Sequence, residues 1–136
     1  MNSLARELVD AWNSHDLERV ISLYSPAYTG VDVAQAAPQS GLEGLRDTIS
    51  LYWRAFPDLH FTLKQSVAEG DLLSIFYQAQ GTHRGPIMNI PATGCRIDVQ
   101  GAGLHRLLNG RIVHSLYVWD TAGMLRAMRL LPELGM

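Results

Sequence analysis

Apolar positions at the start of the chain recur at helical spacing. Leu4, Leu8, Ala11 and Trp12 share one face, so residues 3–13 read as an amphipathic helix. Asn13, Ser14 and His15 break the pattern. Asp16 is placed to cap a second helix that carries Leu17, Val20, Ile21 and Tyr24 on one side. Pro26 suits a helix that has just ended. Residues 27–33 fit a short strand and 34–40 a loop. Leu42, Leu45, Ile49, Trp53 and Phe56 form a third stripe, which Pro57 bounds.

Beyond residue 58 the period falls to two. Leu59, Phe61, Leu63, Gln65 and Val67 alternate with His60, Thr62, Lys64 and Ser66, as in a half-buried strand. Glu69-Gly70-Asp71 supplies a turn, and residues 72–83 resume as a longer strand. Residues 84–94 hold two glycines and two prolines among Ile87, Met88 and Ile90, an unusually apolar loop. Strands at 96–107 and 111–119 flank Asn109-Gly110, a strong hairpin signal. Residues 121–131 close the chain as a helix with Met124, Leu125, Met128 and Leu131 inward. Helices first, then antiparallel strands, then a helix, is an α+β order. It predicts a curved antiparallel sheet wrapped around the N-terminal helices, with a cone-shaped interior and an apolar pocket. Gly101 and Gly103 within one strand fit sharp curvature or the close approach of a ligand.

Composition narrows the function classes. The 136 residues have room for one ordinary domain, 1–136, and 47% hydrophobic with 18% charged residues suits a globular chain. A formal charge of −2, with Lys64 the single lysine and no basic cluster, argues against nucleic acid as a partner. Cys95 is the only cysteine, so no internal disulfide forms. Arg6, Glu7 and Asp10 interrupt the N-terminal pattern, unlike a signal peptide, and no stretch reaches the length of a membrane span. A soluble, cytoplasmic protein is expected.

The Asn109-Gly110 turn sets an expected register. A two-residue loop pairs Leu108 with Arg111, His105 with His114, Gly101 with Val118 and Val99 with Asp120. Alternation then puts Asp120 at the end of a face lined by valine, leucine and glycine. Desolvation there would suit the carboxylate to proton transfer near neutral pH. Asp120 also precedes a helix, where aspartate is a good N-cap, so base and cap are both open. The histidines at 15, 60, 83, 105 and 114 lack metal-ligand spacing, so no metal is expected. His83 sits where a strand meets the apolar loop and is the next pocket candidate, while His15 reads as structural. Trp12, Tyr24, Trp53, Phe56 and Trp119 read as core. Gly101-Ala102-Gly103 lacks the third glycine and following helix of a dinucleotide site.

Several segments together resemble a known family. Trp12-Asn13-Ser14-His15-Asp16-Leu17, Ala55-Phe56-Pro57-Asp58-Leu59, Gly81-Thr82-His83-Arg84-Gly85-Pro86 and Ile90-Pro91-Ala92-Thr93-Gly94 are similar to SnoaL-like polyketide cyclases. So are Asn109-Gly110-Arg111-Ile112-Val113 and Val118-Trp119-Asp120, in the same order along nearly the whole chain. The wider superfamily includes ketosteroid isomerase, scytalone dehydratase and limonene epoxide hydrolase. The resemblance implies a cone-shaped α+β barrel, commonly a homodimer, with a deep apolar pocket for a small apolar molecule and no cofactor. It also implies an aspartate at the end of the last long strand as acid/base in an intramolecular aldol closure, a position matched by Asp120. In some members a histidine on the preceding strand assists, and His105 is the nearest match.

Three functions follow as expectations. The first is a cyclase-type enzyme, with Asp120 removing a proton α to a carbonyl and His83, His105 or a water serving the enolate oxygen. The second is isomerisation or epoxide hydrolysis in the same pocket. An Asp-Arg-Asp set would draw on Asp98 and Arg96, but alternation places both on the face opposite Asp120. The third is a non-enzymatic ligand-binding or dimeric domain in which Asp120 is a cap.

Overall fold

The computed structural model describes residues 2–133 and 135. Helix α1 (Asn2–Ser14) buries Ala5, Leu8, Val9 and Ala11, with Leu4 and Trp12 of the expected stripe partly buried beside them. Helix α2 (Leu17–Ile21) is short, and the Asp16 carboxylate caps it by accepting from the Arg19 amide. Tyr24 is not its last residue. The chain turns at Ser22 and Leu23, and Tyr24 opens strand β1 (Tyr24–Asp32). Pro26 favours extended backbone at Ser25, inside β1.

Strand β2 (Gln39–Ser40) leads into α3 (Gly41–Ala55), followed by β3 (His60–Glu69), β4 (Leu72–Thr82), β5 (Arg96–Leu108), β6 (Arg111–Trp119) and α4 (Thr121–Ala127). The architecture is α+β: a curved six-stranded sheet in the order β2-β1-β6-β5-β4-β3, with α1 and α3 packed on its inner face. β1 runs parallel to β6, so the sheet is mixed and not purely antiparallel. Helix α4 ends sooner than its stripe suggests. Arg129 takes a left-handed φ of 63°, a helix-stopping conformation, and Leu131 is exposed. No helix among the described residues is long and apolar enough to cross a membrane.

Two bulges reset which residues face inward. In β3 the register shifts between Leu63 and Gln65, so Phe61 and Leu63 face in but Val67 faces out. In β6, Leu107 pairs with Ile112 but Arg106 pairs with His114, leaving Val113 as the extra residue. One added residue reverses every later side chain on that strand.

The family-like segments serve mainly as fasteners. The Asn13 side chain pairs with the Phe61 backbone like a short strand: Oδ1 accepts the amide at 2.7 Å and Nδ2 donates to the carbonyl at 2.8 Å. His15 Nε2 donates to the Leu59 carbonyl at 2.8 Å, the structural role expected of it. Asp58 accepts from the Thr82 amide and hydroxyl, tying the start of β3 to the end of β4. Arg84 and Gly85 donate their amides to the Ala55 carbonyl. A Cβ on Gly85 would lie 2.3 Å from the Arg54 carbonyl oxygen, so glycine is required for that approach.

Candidate active site

Between α1, α3 and the inner face of the sheet lies a cavity of about 90 Å³. A water needs roughly 10–15 Å³, so this space is far larger than a packing flaw. Its walls are mostly apolar: Leu8, Val9 and Trp12 from α1, Leu45 and Phe56 at α3, and Ile75, Ala79, Ile97 and Val99 from β4 and β5. Trp12, Phe56 and Trp119 therefore line this cavity, where the sequence pattern favoured core packing over ligand stacking. A few polar groups break the apolar wall: Asp32, Gln39, Thr48, Tyr52, Tyr77, Tyr117 and the Trp119 indole.

Asp32 is the charged group of this cavity. It closes β1 and is only 4% exposed. Oδ1 accepts from the Ala34 amide at 2.9 Å and from Trp119 Nε1 at 3.2 Å, and Oδ2 accepts from the Tyr52 hydroxyl at 2.5 Å. Oδ1 thus has both lone pairs engaged. Among the described residues Oδ2 has one without a partner, since a carboxylate offers about four acceptor sites. Burial, and next the Asp32 charge, push the Tyr52 phenol well above its ordinary pKa, so it stays a donor. Gln35 Nε2 donates to the same phenol oxygen at 3.0 Å.

Behind the cavity wall lies a second polar group of side chains. His105 is fully buried, with Nδ1 2.6 Å from Ser115 Oγ. Tyr24 and Tyr117 share a hydroxyl–hydroxyl bond of 2.9 Å, and burial pushes Tyr24 up to about 12. Tyr28 donates to Gln39 Oε1 at 2.7 Å. Gly101 and Gly103 make room for tyrosine rings. A Cβ at Gly101 would lie 2.5 Å from the Tyr77 hydroxyl, and one at Gly103 would lie 3.1 Å from Tyr117 Cε1.

The structure separates the residues singled out from the sequence. The Val113 bulge overturns the expected register: Gly101 pairs with Trp119 and His105 with Ser115, and the Asp120 amide bonds the Gln100 carbonyl. Trp119 and Tyr117 take the inner face, and Asp120 is exposed on the outer side, away from the cavity. Its carboxylate caps α4, accepting from the Gly123 amide at 2.8 Å. Asp120→Ala is expected to cost about 1 kcal/mol of stability, read from a urea melt; an unchanged midpoint would contradict the capping role.

His105 and His83 are both fully buried, yet neither lines the cavity. His83 Nδ1 accepts from the Thr93 amide at 3.1 Å and pins the 84–94 loop, while Nε2 is buried without a partner among the described residues. Asp98 and Arg96 are exposed on the outer side, where Asp98 accepts from Gln78 and Gln80. Among the described residues, no three His, Cys, Asp or Glu side chains group as a metal site would.

Asp32 is the functional candidate that sequence reasoning missed. On β1 Val31 faces out, as does Val33 just beyond the strand at 54% exposed, while Tyr28, Gly30 and Asp32 face in. A pattern reading places valines inward and aspartate outward. The available signal was the reversal itself: Tyr-x-Gly-x-Asp at two-residue spacing on a strand whose valine faces outward.

The SnoaL-like polyketide cyclase profile matches residues 2–128. Searching the curated proteins gives no match. Solved structures are similar throughout. AclR of Streptomyces galilaeus, described as a candidate hydroxylase, is 26% identical at a TM-score of 0.85, covering 98% of this chain and 83% of that one. TsrD of Streptomyces laurentii is 27% identical at a TM-score of 0.85, covering 96% and 95%. IdmH of Streptomyces antibioticus, described as a candidate polyketide cyclase, is 28% identical at a TM-score of 0.81, covering 94% and 97%.

Proposed function

Because this chain belongs to the SnoaL-like polyketide cyclase family, we propose that it closes a ring in a small apolar carbonyl compound by intramolecular aldol chemistry, with Asp32 as the acid/base group. The observation that carries this reading is a buried carboxylate with an unused lone pair on Oδ2 among the described residues, standing in a mostly apolar cavity. Asp32 Oδ2 takes a proton from the carbon α to a carbonyl, and the C–H electron pair moves into the enolate. The enolate carbon attacks a second carbonyl of the same molecule and a C–C bond forms. The new alkoxide takes the proton back from Asp32, so the carboxylate is regenerated and no external oxidant or reductant enters. Holding both carbonyls in one folded conformation supplies much of the rate, which is why one acid/base group suffices.

The first half of this cycle is measurable without the native substrate. The protein is expected to accelerate deuterium exchange at the α carbons of 2-tetralone in D2O, followed by proton NMR. Binding of 2-tetralone with exchange at the buffer rate would favour the ligand-binding reading instead. An Asp-Arg-Asp hydrolase has no support here, since Asp98 and Arg96 lie on the other side of the sheet.

The same reading includes a cytoplasmic setting, consistent with a single free cysteine, and a homodimer formed through the outer sheet face. Val31, Leu116 and Leu104 lie side by side across three strands, and Val118, Ala102 and Phe76 form the adjoining row. Val118 is 50% exposed, and an uncovered apolar patch of this extent is unusual on a monomer. A two-fold axis would lay the patch on itself. Leu116→Arg is expected to halve the mass measured by light scattering. A monomeric wild-type protein would overturn the dimer.

A further inference from the structure

The cavity holds a second polar feature whose orientation is fixed from behind. Gln39 stands opposite Gly30 of β1, is 5% exposed and faces the cavity. Its Oε1 accepts the Tyr28 hydroxyl at 2.7 Å. That pair occupies the space over Gly30: a Cβ there would lie 2.0 Å from the Tyr28 hydroxyl and 2.8 Å from Gln39 Oε1. Glycine is therefore a condition of the contact.

An amide oxygen can only accept, so the Tyr28 phenol is the donor of this bond. The amide nitrogen keeps both hydrogens on a side chain that lines the cavity, and no acceptor among the described residues takes them. Burying a line of polar groups costs stability unless each is satisfied, and a plain cavity wall would be met more cheaply by leucine and phenylalanine.

We propose that Gln39 is the oxygen-binding residue of the cavity, its Nε2 hydrogens receiving the carbonyl oxygen of an apolar ketone, with Tyr28 as the positioning residue. The inference rests on the reading that this cavity takes a carbonyl compound. Gln39 pairs with Gly30, two residues from Asp32, about 7 Å along the strand. That span suits a ketone whose oxygen meets the amide while its α hydrogen meets the carboxylate. The substrate class is thus a ketone carrying an α C–H beside an apolar ring body. An enolate oxygen held by Gln39 would be stabilised where its charge develops.

The test uses 2-tetralone labelled with carbon-13 at the carbonyl, and tetralin as the isostere without oxygen. Wild-type protein is expected to bind 2-tetralone about tenfold more tightly than tetralin, the worth of one good hydrogen bond, and to shift the bound carbonyl resonance downfield. Gln39→Leu is expected to abolish both the preference and the shift while keeping tetralin affinity. Tyr28→Phe, which frees the amide to turn over, is expected to lose most of both, and serves alone should Gln39→Leu fail to fold. A carbonyl shift that persists in the folded variants, or no binding of 2-tetralone by the wild type at millimolar concentration, overturns the inference. Asp32→Asn separates the two readings. Exchange retained in that variant, with the shift still dependent on Gln39, removes the base and keeps the oxygen site.

Discussion

Asp32→Asn is expected to lower α-hydrogen exchange of 2-tetralone by about 10²–10⁴-fold, the usual worth of a general base. The variant is close to isosteric, so the fold survives. Its carbonyl oxygen still accepts from the Ala34 amide and Trp119 Nε1, which meet Oδ1 in the native protein. Its amide nitrogen meets the Tyr52 hydroxyl in place of Oδ2. The phenol oxygen, which already accepts from Gln35 Nε2, takes this second donor, and the phenol proton loses its acceptor at a modest cost in stability. What is lost is the lone pair that takes the proton. Binding of 2-tetralone is expected to change little, so the loss falls in kcat and not in KM. Asp120→Asn, on the outer face, is expected to leave exchange within about twofold, since it caps α4 and does not line the cavity. Equal losses in the two variants would sink the assignment.

A second large effect concerns acid stability. Burial lowers His105 from 6.5 to about 4. The unfolded chain takes up the proton as pH falls through about 6.5, whereas the folded protein does so only near 4. Between those values the unfolded state binds more protons, so stability falls with falling pH and levels off below about 4. The contribution lost is about 3 kcal/mol, at 1.36 kcal/mol for each pH unit of separation. His105→Gln removes this titration while keeping a polar group beside Ser115 Oγ. Wild-type protein is expected to lose about 3 kcal/mol more than His105→Gln between pH 7 and pH 4 in paired urea melts. Parallel losses in the two proteins would show that His105 charges in the folded state without penalty.

The helices, the strand order after residue 58 and the Asn109-Gly110 hairpin were all legible in the sequence, because each rests on a local period or a local turn. What was not legible depends on single added residues and on reversed faces. Nothing in the run Ile112-Val113-His114 marks Val113 as a bulge, yet that one residue sends Asp120 outward and brings Trp119 and Tyr117 in. In β1 Val31 points out and Asp32 in, against the rule that burial follows apolarity. Such reversals are where a functional wall overrides the pattern that folds the rest of the chain. The resemblance located the family through Asn13, His15, Asp58 and Gly85, residues that hold loops to strands. Those residues say where the sheet closes, and Asp32 lies outside all of them.

The account stands or falls on where a carbonyl ligand sits. Titration of nitrogen-15-labelled protein with 2-tetralone reads this through the indole N–H of Trp119, which bonds Asp32 Oδ1 at 3.2 Å. The Trp119 indole resonance is expected to shift most, followed by the Ala34 amide, with the Gln100 and Asp120 amides of the outer edge still. Shifts confined to Gln100, Val118 and Asp120, with the Trp119 indole unmoved, would place the ligand outside the cavity and contradict Asp32 as the site of chemistry.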